Sequence, residues 1–174
     1  VKVPASLAVN LQADNGIIVL RDVKSDARVK TENGKLDVTN VTSDVRIETD
    51  NGWVKVAKVK GVLEAQSDNG KIEVEDVGSD VNVQTVNGMI SIRSPQIGGD
   101  WRAKTDVGMV EVVLPESVDA TIKARTGAGK IYSDFPLDHQ GHAVDSVSTG
   151  MIGRGTHAID LTTSAGSIKV KKSQ

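Results

Sequence analysis

The sequence predicts an all-β chain wound as a single parallel β-solenoid, that is, a β-helix. Three observations lead there. Asn-Gly pairs recur at Asn15-Gly16, Asn33-Gly34, Asn51-Gly52, Asn69-Gly70 and Asn87-Gly88, each 18 residues after the last. Between them, short β-branched runs alternate apolar and polar residues, the signature of half-buried strands. The chain of 174 residues has 17 glycines but only 2% aromatics, and no long segment with helical periodicity, which excludes a helical bundle or a nucleotide-binding α/β fold.

Each element follows from alignment on the turn glycine. Two residues after it stand Ile18, Leu36, Val54, Ile72, Ile90, Val110, Ile131, Ile152 and Ile168. Four after it stand Leu20, Val38, Val56, Val74, Ile92 and Val112, and seven after it Val23, Val41, Val59 and Val77. Before the next glycine the alternation resumes as Ala27-Val29-Thr31, Val45-Ile47-Thr49 and Val81-Val83-Thr85. A coil is therefore a strand, a turn near Val41, a second strand and an Asn-Gly turn, with Asn33, Asn51 and Asn69 expected at positive φ and their amides stacked along the axis.

The phase continues through degenerate turns at Val107-Gly108, Ala128-Gly129, Thr149-Gly150 and Ala165-Gly166, with spacings of 20, 21, 21 and 16. One such repeat buries too little to fold alone, so the coils must stack. About nine coils in chain order, roughly 40 Å at ~4.8 Å per rung, are expected. Leu36 is followed at six-residue intervals by Thr42 and Glu48, so the left-handed hexapeptide form fails, and a right-handed coil is expected. Residues 1–174 read as one repeat domain, with regular coils over 15–92 and looser coils over 93–170. Insertions at Pro95–Asp100, Pro115–Ser117 and Pro136–His142 read as loops bulging from the later coils.

Charge and cysteine content narrow the chemistry. With 21 Lys+Arg against 23 Asp+Glu the net charge is -2, so no global field draws the chain to polyanions. Absence of cysteine rules out disulfides and thiolate metal sites. No apolar run reaches the ~18 residues of a membrane-crossing helix. No leader pattern opens the sequence, and Val1 starts almost in the repeat phase, which reads as a fragment of a longer protein. One Tyr, one Phe and two Trp supply no stacking platforms for nucleic acid.

The run TENGKLDVTNVTSDVRIETDNG, the segment TGAGKIYSDFP and the closing LTTSAGSIKV resemble the bacterial putative-adhesin β-helix family. The resemblance covers essentially the whole chain. It implies a solenoid domain of unknown function from proteins of the cell envelope or surface, with no catalytic residue to carry over and no cofactor.

The outward columns are where function can lie, because the inward ones are occupied by packing. Six and four residues before the glycine stand Arg28/Lys30, Arg46/Glu48, Glu64/Gln66, Asn82/Gln84, Arg102/Lys104 and Lys123/Arg125. Arg102, Lys104, Lys123 and Arg125 are expected on adjacent rungs about 5 Å apart, with Val144 and Ser146 following. Such a patch suits an anionic envelope component or partner protein; the alternative is a solvated face with acids reaching in from Asp100 or Asp119. Asp14, Glu32, Asp50 and Asp68 stack two before the glycine, where they either hold a cation or serve the turn. One after it stand Ile17, Lys35, Trp53, Lys71, Met89, Met109, Lys130 and Met151, either an amphipathic contact stripe or gap-fillers beside the turn.

An enzymatic alternative is a carbohydrate-active β-helix with its site at 134–145, where Asp134, Asp138, His139, His142 and Asp145 gather, and His139-x-x-His142 has the spacing of a metal pair. No nucleophile elbow, phosphate loop or zinc motif accompanies it. Lys169, Lys171 and Lys172 on the last strand are expected to guard a terminal edge and keep the protein monomeric.

Overall fold

In the computed structural model, which describes residues 7–141 and 144–173, the alternating pattern becomes long strands bent once at the Asn-Gly pair. Strands β1 (Val9–Val23), β2 (Ala27–Val41), β3 (Val45–Val59) and β4 (Leu63–Val77) are each 15 residues long. β5 (Val81–Arg93) and β6 (Trp101–Leu114) complete a run of six parallel coils whose register repeats at 18 residues through β5, as Val38↔Val56 and Val56↔Val74. The fold class is thus the expected parallel β-solenoid, and no helix occurs among the described residues.

The bend is not a break in pairing. Asn33↔Asn51 and Gly34↔Gly52 are themselves ladder partners, so the sheet turns its corner without losing register. Glycine is required there by the close approach of successive coils: a Cβ on Gly52 would lie 2.0 Å from the Gly34 carbonyl oxygen, at φ +158. Among the described residues no coil lies below the first, and a Cβ on Gly16 would meet nothing within 4 Å.

The residues in the left-handed region differ from those expected. Asp22, Asn40, Lys58 and Asp76 take φ between 55 and 58, while Asn33, Asn51 and Asn69 do not have positive φ. These residues initiate the short turns at 24–26, 42–44, 60–62 and 78–80, where the strands actually break. Asparagine at the bend serves another purpose, because the stacking half of the expectation holds. Nδ2 donates to the Oδ1 one coil below for Asn33→Asn15 (3.1 Å), Asn51→Asn33 (3.0 Å), Asn69→Asn51 (3.0 Å) and Asn87→Asn69 (3.1 Å).

The core fills the coil interior with single-residue columns such as Val29–Ile47–Ala65–Val83–Ala103–Leu161, each member fully buried. A parallel column of Thr31, Thr49, Ser67, Thr85, Thr105, Thr163 and Thr126 is also buried. Hydroxyls of Thr31, Ser67 and Thr105 donate to the carbonyl two residues on, which compensates the burial of a polar group beside the bend.

Chain order fails after the sixth coil, and this corrects the count of nine. The strand after β6 in the stack is β11 (His157–Lys172), parallel to it, and only then comes β7 (Ala120–Ala128) with β8 (Ile131–Ser133) completing its coil. β10 (Val144–Ile152) lies antiparallel on β7, and β9 (Asp138–Gln140) antiparallel on β10. Thr149-Gly150 is therefore not a coil bend, and Ile152 pairs with Ala120 rather than joining the glycine-plus-two column. Phe135 and Leu137, 5% and 8% exposed, close this end of the interior. Lys169, Lys171 and Lys172, expected on a terminal edge, lie within the sheet on β11 instead and guard no edge.

Candidate basic face

The outward side chains six and four residues before the bend lie on one flat face. In the second to fourth coils they neutralise one another. Glu48 takes Arg28 Nη2 at 3.0 Å, Arg46 Nε at 3.1 Å and Lys30 Nζ at 3.8 Å, and Arg46 Nη1 reaches Glu64 at 2.8 Å. The hydrogen bond from Arg46, with the charges of Arg28 and Lys30 behind it, outweighs partial burial and lowers the Glu48 carboxyl from its ordinary 4.5.

Further along, the pairing thins. Arg102 and Lys123 do not lie on adjacent rungs, because β11 separates them: Asp160 partners Arg102 on one side and Lys123 on the other, and Thr162 likewise separates Lys104 from Arg125. The two cationic pairs are thus about 10 Å apart. Val147 and Thr149 follow Arg125 and Lys123, not Val144 and Ser146. Yet the intervening acid does not quench the face. Lys104 Nζ stands 3.7 Å from Asp106, while Arg102, Lys123 and Arg125 have no carboxylate within 4.0 Å among the described residues. Arg102, Lys104 and Arg125 are exposed and Lys123 half-buried.

The acids expected to reach in from the loops are engaged elsewhere. Asp100 Oδ1 accepts the Ala158 N–H at 2.8 Å. Asp119 Oδ1 accepts the Arg154 N–H at 2.7 Å, with the Arg154 guanidinium at 3.3 Å from its other oxygen, and these contacts hold its carboxyl below the usual range. Asp100 belongs to a device the sequence reading missed, in which an aspartate at a coil corner receives the backbone N–H of the next coil, as Asp44 does from Val62 and Asp80 from Asp100. Recurrence of Asp26, Asp44 and Asp80 in the same phase was the available signal.

The remaining columns resolve unevenly. Asp14, Glu32, Asp50 and Asp68 are exposed along the bend, and no group of three or more His, Asp or Glu side chains converges as a metal site among the described residues. Trp53 is 40% exposed, with Lys35 Nζ 4.3 Å and Lys71 Nζ 5.9 Å from its ring centroid and its Nε1 donating to Glu73 at 2.8 Å. Met89 and Met109 share this column, whereas Met151 lies on β10 opposite Thr121.

At the 134–145 insertion the acids do not gather. Asp134 accepts the Lys172 N–H at 3.1 Å, and Asp145 has a φ of 54. His142 lies outside the described residues. His139 Nδ1 stands 2.6 Å from Ser148 Oγ in a cleft of about 450 Å³, lined also by Lys130, Tyr132 and Gln140.

The Toastrack DUF4097 family model matches residues 5–171. A solved structure titled a putative cell adhesion protein, from Clostridium sporogenes, is similar in fold, with a TM-score of 0.50 and 12% identity over 97% of this chain and 93% of that one. No curated protein matches the chain.

Proposed function

The chain belongs to the Toastrack DUF4097 family, and on that premise we propose that it is a non-enzymatic, adhesin-like interaction module of the bacterial cell envelope. Its flat face of Arg102, Lys104, Lys123 and Arg125 holds an anionic component of that envelope or an acidic partner protein. One observation carries the reading: in a chain of net charge -2, three of these cations stand without a carboxylate partner, although the cations of the same columns in the second and third coils are paired. The strands beneath these cations are held by the sheet ladder, so docking an anion orders side chains but no segment of backbone. The adhesion named for the Clostridium protein supports the reading by analogy of fold.

A second reading, a glycan-active enzyme at 134–145, draws on the cleft with its His139–Ser148 pair. One experiment addresses both. The wild type and a variant with all four cations changed to Ser are incubated with a teichoic-acid-like polymer and with anionic liposomes across a salt series. The wild type is expected to bind at low salt and release as salt shortens the Debye length below ~8 Å. The variant is expected to lose binding while its melting temperature stays within about 1–2 °C, because exposed charges add little stability. Wild type that ignores anionic surfaces at low salt overturns the first reading; polymer shortened rather than bound favours the second.

A further inference from the structure

Resting on the reading of the basic face as an anion-binding surface, we propose that its ligand is a linear polyol phosphate, a chain of phosphate groups joined by hydroxyl-bearing linkers. The chain lies along the solenoid axis, with one phosphate over each cationic pair and a linker hydroxyl on Asp160. The four cations do not form one cluster. Arg102 and Lys104 stand two residues apart on β6, about 7 Å, so one phosphate can take both side chains, the guanidinium by two parallel hydrogen bonds. Lys123 and Arg125 form the same pair on β7. Between the pairs runs β11, which sets Asp160 between Arg102 and Lys123 and Thr162 between Lys104 and Arg125.

The middle strand selects the class of ligand. An anion centred on the face would stand over the Asp160 carboxylate and be repelled, and a lone phosphate cannot reach both pairs across about 10 Å. Two anionic groups at that separation can, provided that the piece joining them crosses Asp160 and Thr162 without charge. Asp160 is half-buried, and no basic side chain lies within 4.0 Å of it among the described residues. A carboxylate only accepts hydrogen bonds, so the group that meets it must donate, while the Thr162 hydroxyl can donate or accept. A neutral linker bearing hydroxyls serves both. At about 1.2 Å of advance per bond, five carbons with their two ester oxygens span the roughly 10 Å between phosphates.

Other anionic partners fit this face less well. A protein interface is anchored by apolar or aromatic side chains at its centre, and here the centre holds Asp160 and Thr162, with Asn82 and Gln84 on the neighbouring strand. An anionic bilayer presents charge everywhere, so it meets the acid as well as the cations and gains nothing from an acceptor between them.

Calorimetric titration of residues 1–174 at low salt tests this with three probes: ribitol 5-phosphate, ribitol 1,5-bisphosphate and 1,5-pentanediol bisphosphate, which keeps the spacing but lacks the hydroxyls. Ribitol bisphosphate is expected to bind at least about tenfold tighter than the monophosphate, because its second phosphate docks intramolecularly. It is expected to bind about tenfold tighter than pentanediol bisphosphate, the worth of one hydrogen bond to a charged acceptor. Both comparisons use the wild type alone. Asp160→Ala is expected to level the ribitol and pentanediol bisphosphates, and the double variant Lys123→Ser, Arg125→Ser to level ribitol mono- and bisphosphate. A wild type that binds pentanediol bisphosphate, anionic liposomes or polyglutamate as tightly as ribitol bisphosphate overturns this proposal and leaves the basic-face reading standing. A wild type that binds none of these overturns both. A hydroxyl preference that survives in Asp160→Ala overturns the proposal as well.

Discussion

The first five coils and the coils after them obey the same local rules and yet stack by different ones. From β1 to β5 every strand finds its chain neighbour, because each coil offers the next an unbroken partner in the same phase. β6 has such a partner too, but it is β11: the two pair from Trp101↔Ile159 to Leu114↔Lys172. The intervening candidate is interrupted. β7 ends at Ala128 and β8 begins at Ile131, and the position four after its glycine is Ser133 where the others hold Val, Ile or Leu. An unbroken strand on an unbroken strand satisfies more backbone groups than a split one, so the split coil is left last among the parallel ones. A repeat phase tells where each coil bends; which coil lies on which is decided by completeness of pairing.

Substitutions at the bend glycine break this comparison most sharply. A Cβ at Gly166 would stand 1.7 Å from the Gly108 carbonyl oxygen, a clash that exists only because β11 lies on β6. Gly166→Ala is expected to cost upwards of about 4 kcal/mol, at the far tail of single substitutions. Gly16→Ala, with space around it but φ of +131, is expected to cost about 1–3 kcal/mol of backbone strain. Urea unfolding of the two variants checks the difference, and equal losses would contradict the β6–β11 pairing.

A smaller effect is expected where the ladder itself differs between coils. Asn51 both donates to Asn33 and accepts from Asn69, so Asn51→Val removes two side-chain hydrogen bonds, a loss of about 1–2 kcal/mol. Its φ is not positive, so β-branching alone adds little. Asn87→Val removes the ladder's last bond only, because Val107 follows it, and about half the loss is expected in thermal melts.

The smallest effect separates the paired and unpaired stretches of the basic face. Glu48 titrates below its ordinary 4.5 in the folded protein, held there first by the Arg46 hydrogen bond. A depressed folded value means the stabilisation is complete above the unfolded value and disappears as pH falls through the folded one. The advantage of wild type over Glu48→Gln is therefore expected to be flat at neutral pH, below about 1 kcal/mol, and to shrink on acidification below the unfolded value. A difference that grows on acidification would reverse the sign of this account.

Much of the coil was legible because its determinants are local. The alternation of Val38, Val56 and Val74 with polar neighbours, and the Asn-Gly phase, name the buried columns and the bends without reference to distant residues. What was not legible depends on choices between distant partners. Arg102 and Lys123 read as neighbours because Gly108 and Gly129 are consecutive turn glycines, and nothing near either residue signals that Asp160 will stand between them. Asn-Gly is a common hairpin turn, and that predicts positive φ at Asn33. In a parallel solenoid the corner is instead wide, and the left-handed residue falls seven places later at Asn40. Tyr132, His139 and Ser148 meet only because β9 and β10 fold back over β7.

The wedging of β11 between β6 and β7 also imposes a timetable. A ribosome delivers the coils in order, and β1 to β6 can each dock on the strand made just before. β7 emerges next but cannot take its place, since the surface it rests on is still to be translated. Assembly must pause with the free side of β6 exposed until Lys172 and its neighbours have left the exit tunnel, and only then does the final segment slide in and let the outer strands settle on it. The protein thus matures in two acts: a gradual one that keeps pace with synthesis, and an abrupt one that waits for β11.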